Sequence, residues 1–145
     1  MKPALRKLVL RDYDELLALW RSCEGVGLTE GDDRKGVRLF LRRNPGLSFV
    51  ARRSGRLVGA ALCGHDGRRS FLYHVAVAPA ERRQGIARSL IEVCLQSLRA
   101  IGIGKCHIVV YAKNKDSWER GLLPRTEEQL ALYTNPDGDA RQQRR

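Results

Sequence analysis

An antiparallel run of three short strands feeding one strand–helix–strand unit predicts an α/β fold: a mixed, mostly antiparallel central sheet. Two observations carry this. Residues 47–78 hold three strand-like apolar runs separated by the turns Ser54-Gly55 and Gly64-His65-Asp66-Gly67. Residues 85–111 hold a long apolar-faced helix and then the β-branched run Ile108-Val109-Val110. A crossover of that kind returns parallel to its first strand and right-handed.

The elements follow in order. Residues 5–10, Leu-Arg-Lys-Leu-Val-Leu, read as a strand. A helix starts at Asp12, which can cap it, with Glu15 at the capping-box spacing. Leu16, Leu17, Leu19 and Trp20 form its apolar stripe. Residues 23–31 form a Gly-rich loop with acidic members. A second helix starts at Asp32 or Asp33, buries Val37, Phe40 and Leu41, and stops at Asn44-Pro45-Gly46. Strands over 47–53, 57–63 and 71–78 make the meander. The last of them is apolar on both faces, as a central strand requires, and Pro79 ends it. The next helix, 85–100, presents Ile86, Leu90, Ile91, Val93, Cys94 and Leu98 to the core, and Gly102 ends it. A strand over 105–111 follows. Residues 114–121 are polar, Leu122-Leu123-Pro124 interrupts any helix, and 128–134 reads as a final strand. Residues 1–134 thus read as one domain and 135–145 as a basic, disordered tail.

Composition narrows the function classes. A chain of 145 residues, 43% hydrophobic, suits one domain with a packed core. No apolar run approaches the ~20 residues that span a bilayer. The N-terminus lacks a signal-peptide core, so a cytoplasmic, soluble protein without a membrane partner is expected. Cys23, Cys63, Cys94 and Cys106 are scattered, which points to reduced, mostly buried thiols rather than disulfides or a metal site. The net charge of +11 attracts polyanions, but the cations are spread along the chain. No nucleic-acid-binding motif is present, so no specific nucleic-acid partner is expected.

The segment Arg82-Arg83-Gln84-Gly85-Ile86-Ala87-Arg88 joins a strand to a long helix. The first N–H groups of a helix lack internal partners, and the helix dipole adds positive potential there. Gly85 has no Cβ to hold a phosphate away, Ala87 keeps the first turn slim, and Arg82 and Arg83 add charge-assisted contacts. Together these describe an anion site suited to a pyrophosphate.

The run from Tyr73 to Ala87, with Pro79, Arg82, Gly85 and Ala87 at signature positions, resembles the cofactor segment of the GNAT N-acetyltransferase superfamily, bacterial single-domain members in particular. The order of elements across residues 5–114 is similar too. The resemblance implies a GNAT-like fold whose β-α-β unit binds acetyl-CoA as co-substrate. It implies that the backbone of Val75, Ala76 and Val77 pairs with the pantetheine arm, that the turn amides from Arg83 to Arg88 hold the pyrophosphate, and that Asn114 lies near the pantetheine. The implied reaction is acetyl transfer to a primary amine of a small molecule or protein by direct attack. Many relatives dimerise, which leaves a homodimer open beside the unidentified acceptor.

The chain departs from the family after Asn114. The usual tyrosine that protonates the departing thiolate is missing, and Trp118, which stands nearby, cannot act as an acid. His74, beside the implied thioester, is a candidate proton relay; Tyr111, ending the next strand, a candidate acid; Glu24, in the loop after the first helix, a candidate contact for a cationic amine. Plainer roles compete: a packed strand histidine, a sheet tyrosine, a loop carboxylate. Asp66 reads as a turn former. Two other functions stay open: a non-catalytic acyl-CoA-binding module on the same fold, and a nucleic-acid-binding protein.

Overall fold

The structure is a computed structural model that describes residues 2–23, 26–110 and 130–134. Among these, six strands form one sheet in chain order: β1 (Ala4–Lys7), β2 (Phe49–Arg53), β3 (Arg56–His65), β4 (Ser70–Val77), β5 (Cys106–Val110) and β6 (Leu130–Thr134). The first three pairings are antiparallel; β4 with β5 and β5 with β6 are parallel. Helices α1 (Tyr13–Arg21) and α2 (Arg34–Arg43) cover one face, and α3 (Ile86–Ala100) covers the other. The mixed, mostly antiparallel sheet with one β-α-β crossover is the architecture the sequence predicts.

Two cores follow from the alternation of side chains along the strands. Ile86, Leu90, Ile91, Cys94 and Leu98 of α3 pack on Ala51, Ala61, Cys63, Leu72 and Ile108. Leu16, Leu19 and Trp20 of α1 and Val37 of α2 pack on Val50, Ala60, Leu62 and Ala76. All four cysteines are free and buried. A hydrogen bond with Cys63 and burial together push the Cys106 thiol far above its ordinary range. Gly59 brings α3 close: a Cβ there would stand 3.0 Å from Ile86 Cγ2 and 3.1 Å from Leu90 Cδ1. Past α3, Gly102 at φ +86° turns the chain, and the Ile103 N–H returns to the Leu98 carbonyl at 2.9 Å.

Some boundaries differ from the sequence reading. The first strand stops at Lys7, because Leu10–Asp12 coils into a 3-10 turn. The capping box at Asp12 and Glu15 does not form. The Asp12 carboxylate is taken by Arg6 in two bonds of 2.8 and 2.5 Å and by the Val9 N–H at 3.0 Å. Glu15 instead pairs with Arg52 at 2.7 Å and accepts the Leu57 N–H. For α2 the cap is Asp33, whose Oδ1 accepts the Gly36 N–H at 2.7 Å. His65 ends β3 rather than lying in a turn, and Asp66 closes the turn by accepting the N–H groups of Arg68 and Arg69. Although β4 is central, Phe71 and Tyr73 are exposed on the face of α1 and α2, where the Tyr73 ring meets Phe40 and Phe71.

Burial opposes the charge of Asp12, but the Arg6 hydrogen bonds and the Val9 N–H outweigh it and hold the carboxyl below its usual value of 3.8. A lowered folded-state value means the stabilisation is present above pH 3.8 and is lost as the pH falls through the lowered value. Asp12→Asn is expected to cost about 1–3 kcal/mol at neutral pH and to flatten the acid side of the stability curve. Urea titrations of both proteins at neutral and acid pH check this.

Candidate active site

The site begins where two strands part. β4 pairs with β5 only from Ser70 to Leu72, opposite Cys106 to Ile108. β4 then runs on to Val77 beside β3, and β5 to Val110 beside β6, without pairing with each other. Among the described residues, the side of β4 that faces β5 therefore has no strand ladder over Val75, Ala76 and Val77. Backbone N–H and C=O groups in such a place need other partners. One is supplied within the chain: the Val77 carbonyl accepts from Arg82 Nε at 3.2 Å and from the Cys23 thiol at 3.5 Å.

A β-bulge shapes the same stretch. Ala60 pairs with Ala76 and Leu62 with Tyr73, so His74 and Val75 together oppose Ala61. His74 takes up the extra residue at φ +49°, a left-handed conformation uncommon for a residue with a Cβ. The bulge resets the alternation. Leu72 lies in the core under α3, Tyr73 meets Phe40 of α2, and His74 also turns to the face of α1 and α2. Val75 and Val77 then return to the α3 side.

Beyond Val77, Pro79–Glu81 forms a 3-10 turn and the chain enters the basic segment. Arg83 at φ +66° and Gly85 at φ +78° curl it on either side of Gln84. Backbone of that kind makes a concavity toward which successive N–H groups can point. Gly85 is the N-cap of α3, and no side chain caps the helix. A Cβ on Gly85 would meet nothing within 4 Å, so the space in front of the turn is open among the described residues. Arg82, Arg83, Gln84 and Gly85 are exposed, Ala87 and Arg88 half-buried. The side chain of Ile86 belongs to the core, leaving its backbone as its contribution to the turn. Glu81, the sole acid between Val77 and Arg88, is paired with Arg53 NH1. This ion pair cancels the negative charge beside the basic turn and anchors the turn to β2.

On the other face, a short turn reaches the bulge. Glu30–Asp32 is a 3-10 turn whose Asp32 carboxylate accepts the Thr29 N–H at 2.7 Å and pairs with His74 Nε2 at 2.9 Å. Tyr13 of α1 donates its hydroxyl to the Asp32 carbonyl at 2.8 Å. The Trp20 ring meets the His74 imidazole edge-on at 5.0 Å, and its buried Nε1 has no partner among the described residues. Burial would raise the Asp32 carboxyl, but the hydrogen bonds from His74 and Thr29 prevail and lower it.

The structure thus brings His74, Val75, Ala76, Val77 and the segment from Arg82 to Arg88 to one end of β4. Glu24, Tyr111, Asn114 and Trp118 lie outside the described residues. The sequence reading missed Asp32, taking it as a helix start. The doublet Asp32-Asp33 carried the signal, since one of the two suffices as a cap. It also missed Arg53, which reads as a solvated strand-end cation, and the bulge itself.

The comparisons with known proteins agree with this geometry. The sequence model of the acetyltransferase (GNAT) family matches residues 13–120. An acetyltransferase of Pectobacterium atrosepticum is 32% identical over 103 residues, which cover 71% of this chain and 72% of that protein. An acetyltransferase of Yersinia enterocolitica is 33% identical over the same length and coverage. Among solved structures, the PaiA N-acetyltransferase of Thermoplasma acidophilum in complex with coenzyme A shares the fold with a TM-score of 0.71 at 17% identity, over 83% of this chain and 86% of that one. The diaminobutyrate acetyltransferase EctA of Paenibacillus lautus, with its substrate and coenzyme A, gives a TM-score of 0.69 at 23% identity, over 86% and 75%. Fold and sequence together define an acetyltransferase-type α/β protein. The chain belongs to the GNAT acetyltransferase family. No helix among the described residues is long and apolar enough to cross a membrane.

Gly36 governs how closely the Asp32 turn can approach α2. A Cβ there would stand 2.2 Å from the Gly31 carbonyl oxygen, a contact only backbone movement can relieve. Gly36→Ala is therefore expected to destabilise the fold by about 1–3 kcal/mol by overpacking, more than a helical Gly→Ala change returns in propensity. Denaturant unfolding reads the sign: a more stable variant would mean the turn is free to give way.

Proposed function

We propose that this chain transfers the acetyl group of acetyl-CoA to a primary amine of a small molecule or protein by direct attack. The observation that carries the reading is the parting of β4 and β5 directly ahead of an uncapped, left-handed turn at the start of α3. A narrow, flexible molecule with a polyanionic end fits that arrangement. The backbone of Val75, Ala76 and Val77, on the side that β5 leaves open, suits the amides of a pantetheine arm. The N–H groups from Arg83 to Arg88 suit its pyrophosphate, with Arg82 and Arg83 adding charge and Arg53 neutralising Glu81. The residues present fit the co-substrate, and its bound thioester supplies the activated acyl group.

His74 stands at the bulge in the same stretch of β4 and takes the role of proton acceptor on the amine side. For Glu24 and Asn114 the proposed roles, a contact for a cationic amine and a pantetheine neighbour, rest on the family resemblance; Tyr111, which the sequence reading puts at the end of the fifth strand, replaces the missing family tyrosine as proton donor to the departing thiolate. Thiolates leave readily, an ordinary thiol having a pKa of about 8.5, so departure needs modest help. Residues 1–134 form the catalytic domain in this reading, and the reaction belongs to the cytoplasm.

Acetyl-CoA binding tests the claim. Gly85→Asp puts a carboxylate and a strained φ where the pyrophosphate would lie. It is expected to weaken binding by about tenfold or more, the loss of one charge-assisted contact being worth roughly 1.5–3 kcal/mol. Calorimetric titration of a folded variant checks this, and equal affinity would overturn the proposed cofactor site. A thiol-release assay across an amine panel separates enzyme from binding module: acetyl-CoA that binds without release to any amine would favour the module.

A further inference from the structure

His74 has one ring nitrogen committed and one free. Nε2 lies 2.9 Å from Asp32 Oδ1, while Nδ1 makes no hydrogen bond among the described residues. The pair is shielded, with the two side chains 19% and 11% exposed. It joins two segments 42 residues apart. The geometry around it is over-determined. Thr29 donates its N–H to the Asp32 carboxylate, Tyr13 fixes the Asp32 carbonyl, and Trp20 holds the imidazole edge. His74 itself is kept at positive φ by the bulge, a conformation that persists only where the surroundings enforce it.

We propose that Asp32 is a positioning residue for His74: it fixes the neutral imidazole as the Nε2–H tautomer and leaves the Nδ1 lone pair to take the proton that the attacking amine gives up. The inference rests on the acetyl-transfer reading above. In the step, the amine nitrogen forms a bond to the acetyl carbon, the carbon–sulfur bond breaks and CoA leaves as its thiolate. The nitrogen's surplus proton passes to Nδ1. A carboxylate on the far nitrogen sets the tautomer and stabilises the imidazolium that results. The other groups around the ring cannot do this. Cys23 donates to the Val77 carbonyl. Tyr13 addresses the Asp32 backbone, not its carboxylate. Asp33 caps α2, and Arg34 pairs with Asp14 while lying over the Tyr13 ring. Tyr73 packs on Phe40, and the β3 residues opposite the bulge, Ala60 to Leu62, carry no charge.

Nitrogen-15 NMR of the full chain labelled in histidine tests the pairing without any activity. Neutral His74 in the wild-type protein is expected as the Nε2–H tautomer, and an Nδ1–H tautomer would overturn the proposal. In Asp32→Asn the Nε2–H preference should weaken, because a side-chain amide can either accept from or donate to the ring nitrogen and no longer selects one tautomer. kcat should fall about tenfold or more, a part of the roughly 10²–10⁴-fold that a general base supplies, while the KM for acetyl-CoA holds. Asp32→Glu should recover part of both, and it serves in place of Asp32→Asn if that variant does not fold. A purely structural Asp32 would lower the melting temperature of Asp32→Asn and leave the tautomer and kcat unchanged, which sinks the proposal. An Nδ1–H ring in an active enzyme sinks it alone. Absence of acetyl transfer to every amine, with the Nε2–H signature intact, sinks the acetyl-transfer reading and the proton-transfer step with it.

Discussion

One surplus residue in β4 is the constraint on which the site depends. His74 and Val75 share a single partner on β3, and the left-handed turn of His74 absorbs the excess. Two consequences follow. Pairing with β5 reaches only Leu72, so the strand end stands open on that side. Side-chain alternation slips by one, which puts Tyr73 and His74 on the same face of the sheet. Without the slip, His74 would point into the core under α3, where no charged partner stands. A non-glycine residue in such a conformation costs on the order of 1–3 kcal/mol. The bond to Asp32 and the packing on Trp20 offset that cost.

The second face is tied to the same strand end by packing. Gly59 lets the first turn of α3 sit against β3 with no side chain between, which sets how near the uncapped helix end comes to Val75, Ala76 and Val77. Arg53 holds Glu81 from below the turn. A half-buried carboxylate left unpaired at this point would repel any phosphate approaching the helix. The electrostatics of the turn therefore depend on a residue of β2, 28 positions away in sequence.

How much of this could be read from the chain depends on whether the determinants were local. The turn at Gly85, the long apolar face of α3 and the meander were legible, because each is written in consecutive residues with a fixed period. The bulge was not: a histidine in a left-handed conformation leaves no compositional mark of the kind glycine leaves. The role of Asp32 was hidden because the next residue, Asp33, satisfies the helix-start pattern by itself. Asp12 and Glu15 misled for the opposite reason. Their spacing fits a cap, yet Arg6 and Arg52 bring a full positive charge, a stronger partner for a carboxylate than a neutral amide.

The two halves of the site differ in the same way, which explains why the donor is easier to name than the acceptor. The candidate donor side is built from backbone: a strand edge that β5 leaves open, a curled turn and a helix end, all within residues 75–88. Backbone sites of this kind need glycine and small residues at set spacings, and so they leave a motif. The face across the bulge is built from side chains that meet only in three dimensions: Tyr13, Trp20, Asp32, Phe40, Tyr73 and His74. Any one of these can change without disturbing the turn at Gly85. Selectivity for the acceptor can therefore vary among chains that keep the same fold and the same donor motif. The His74–Asp32 pair sits on the boundary between these halves, anchored by backbone on one side and by side chains on the other.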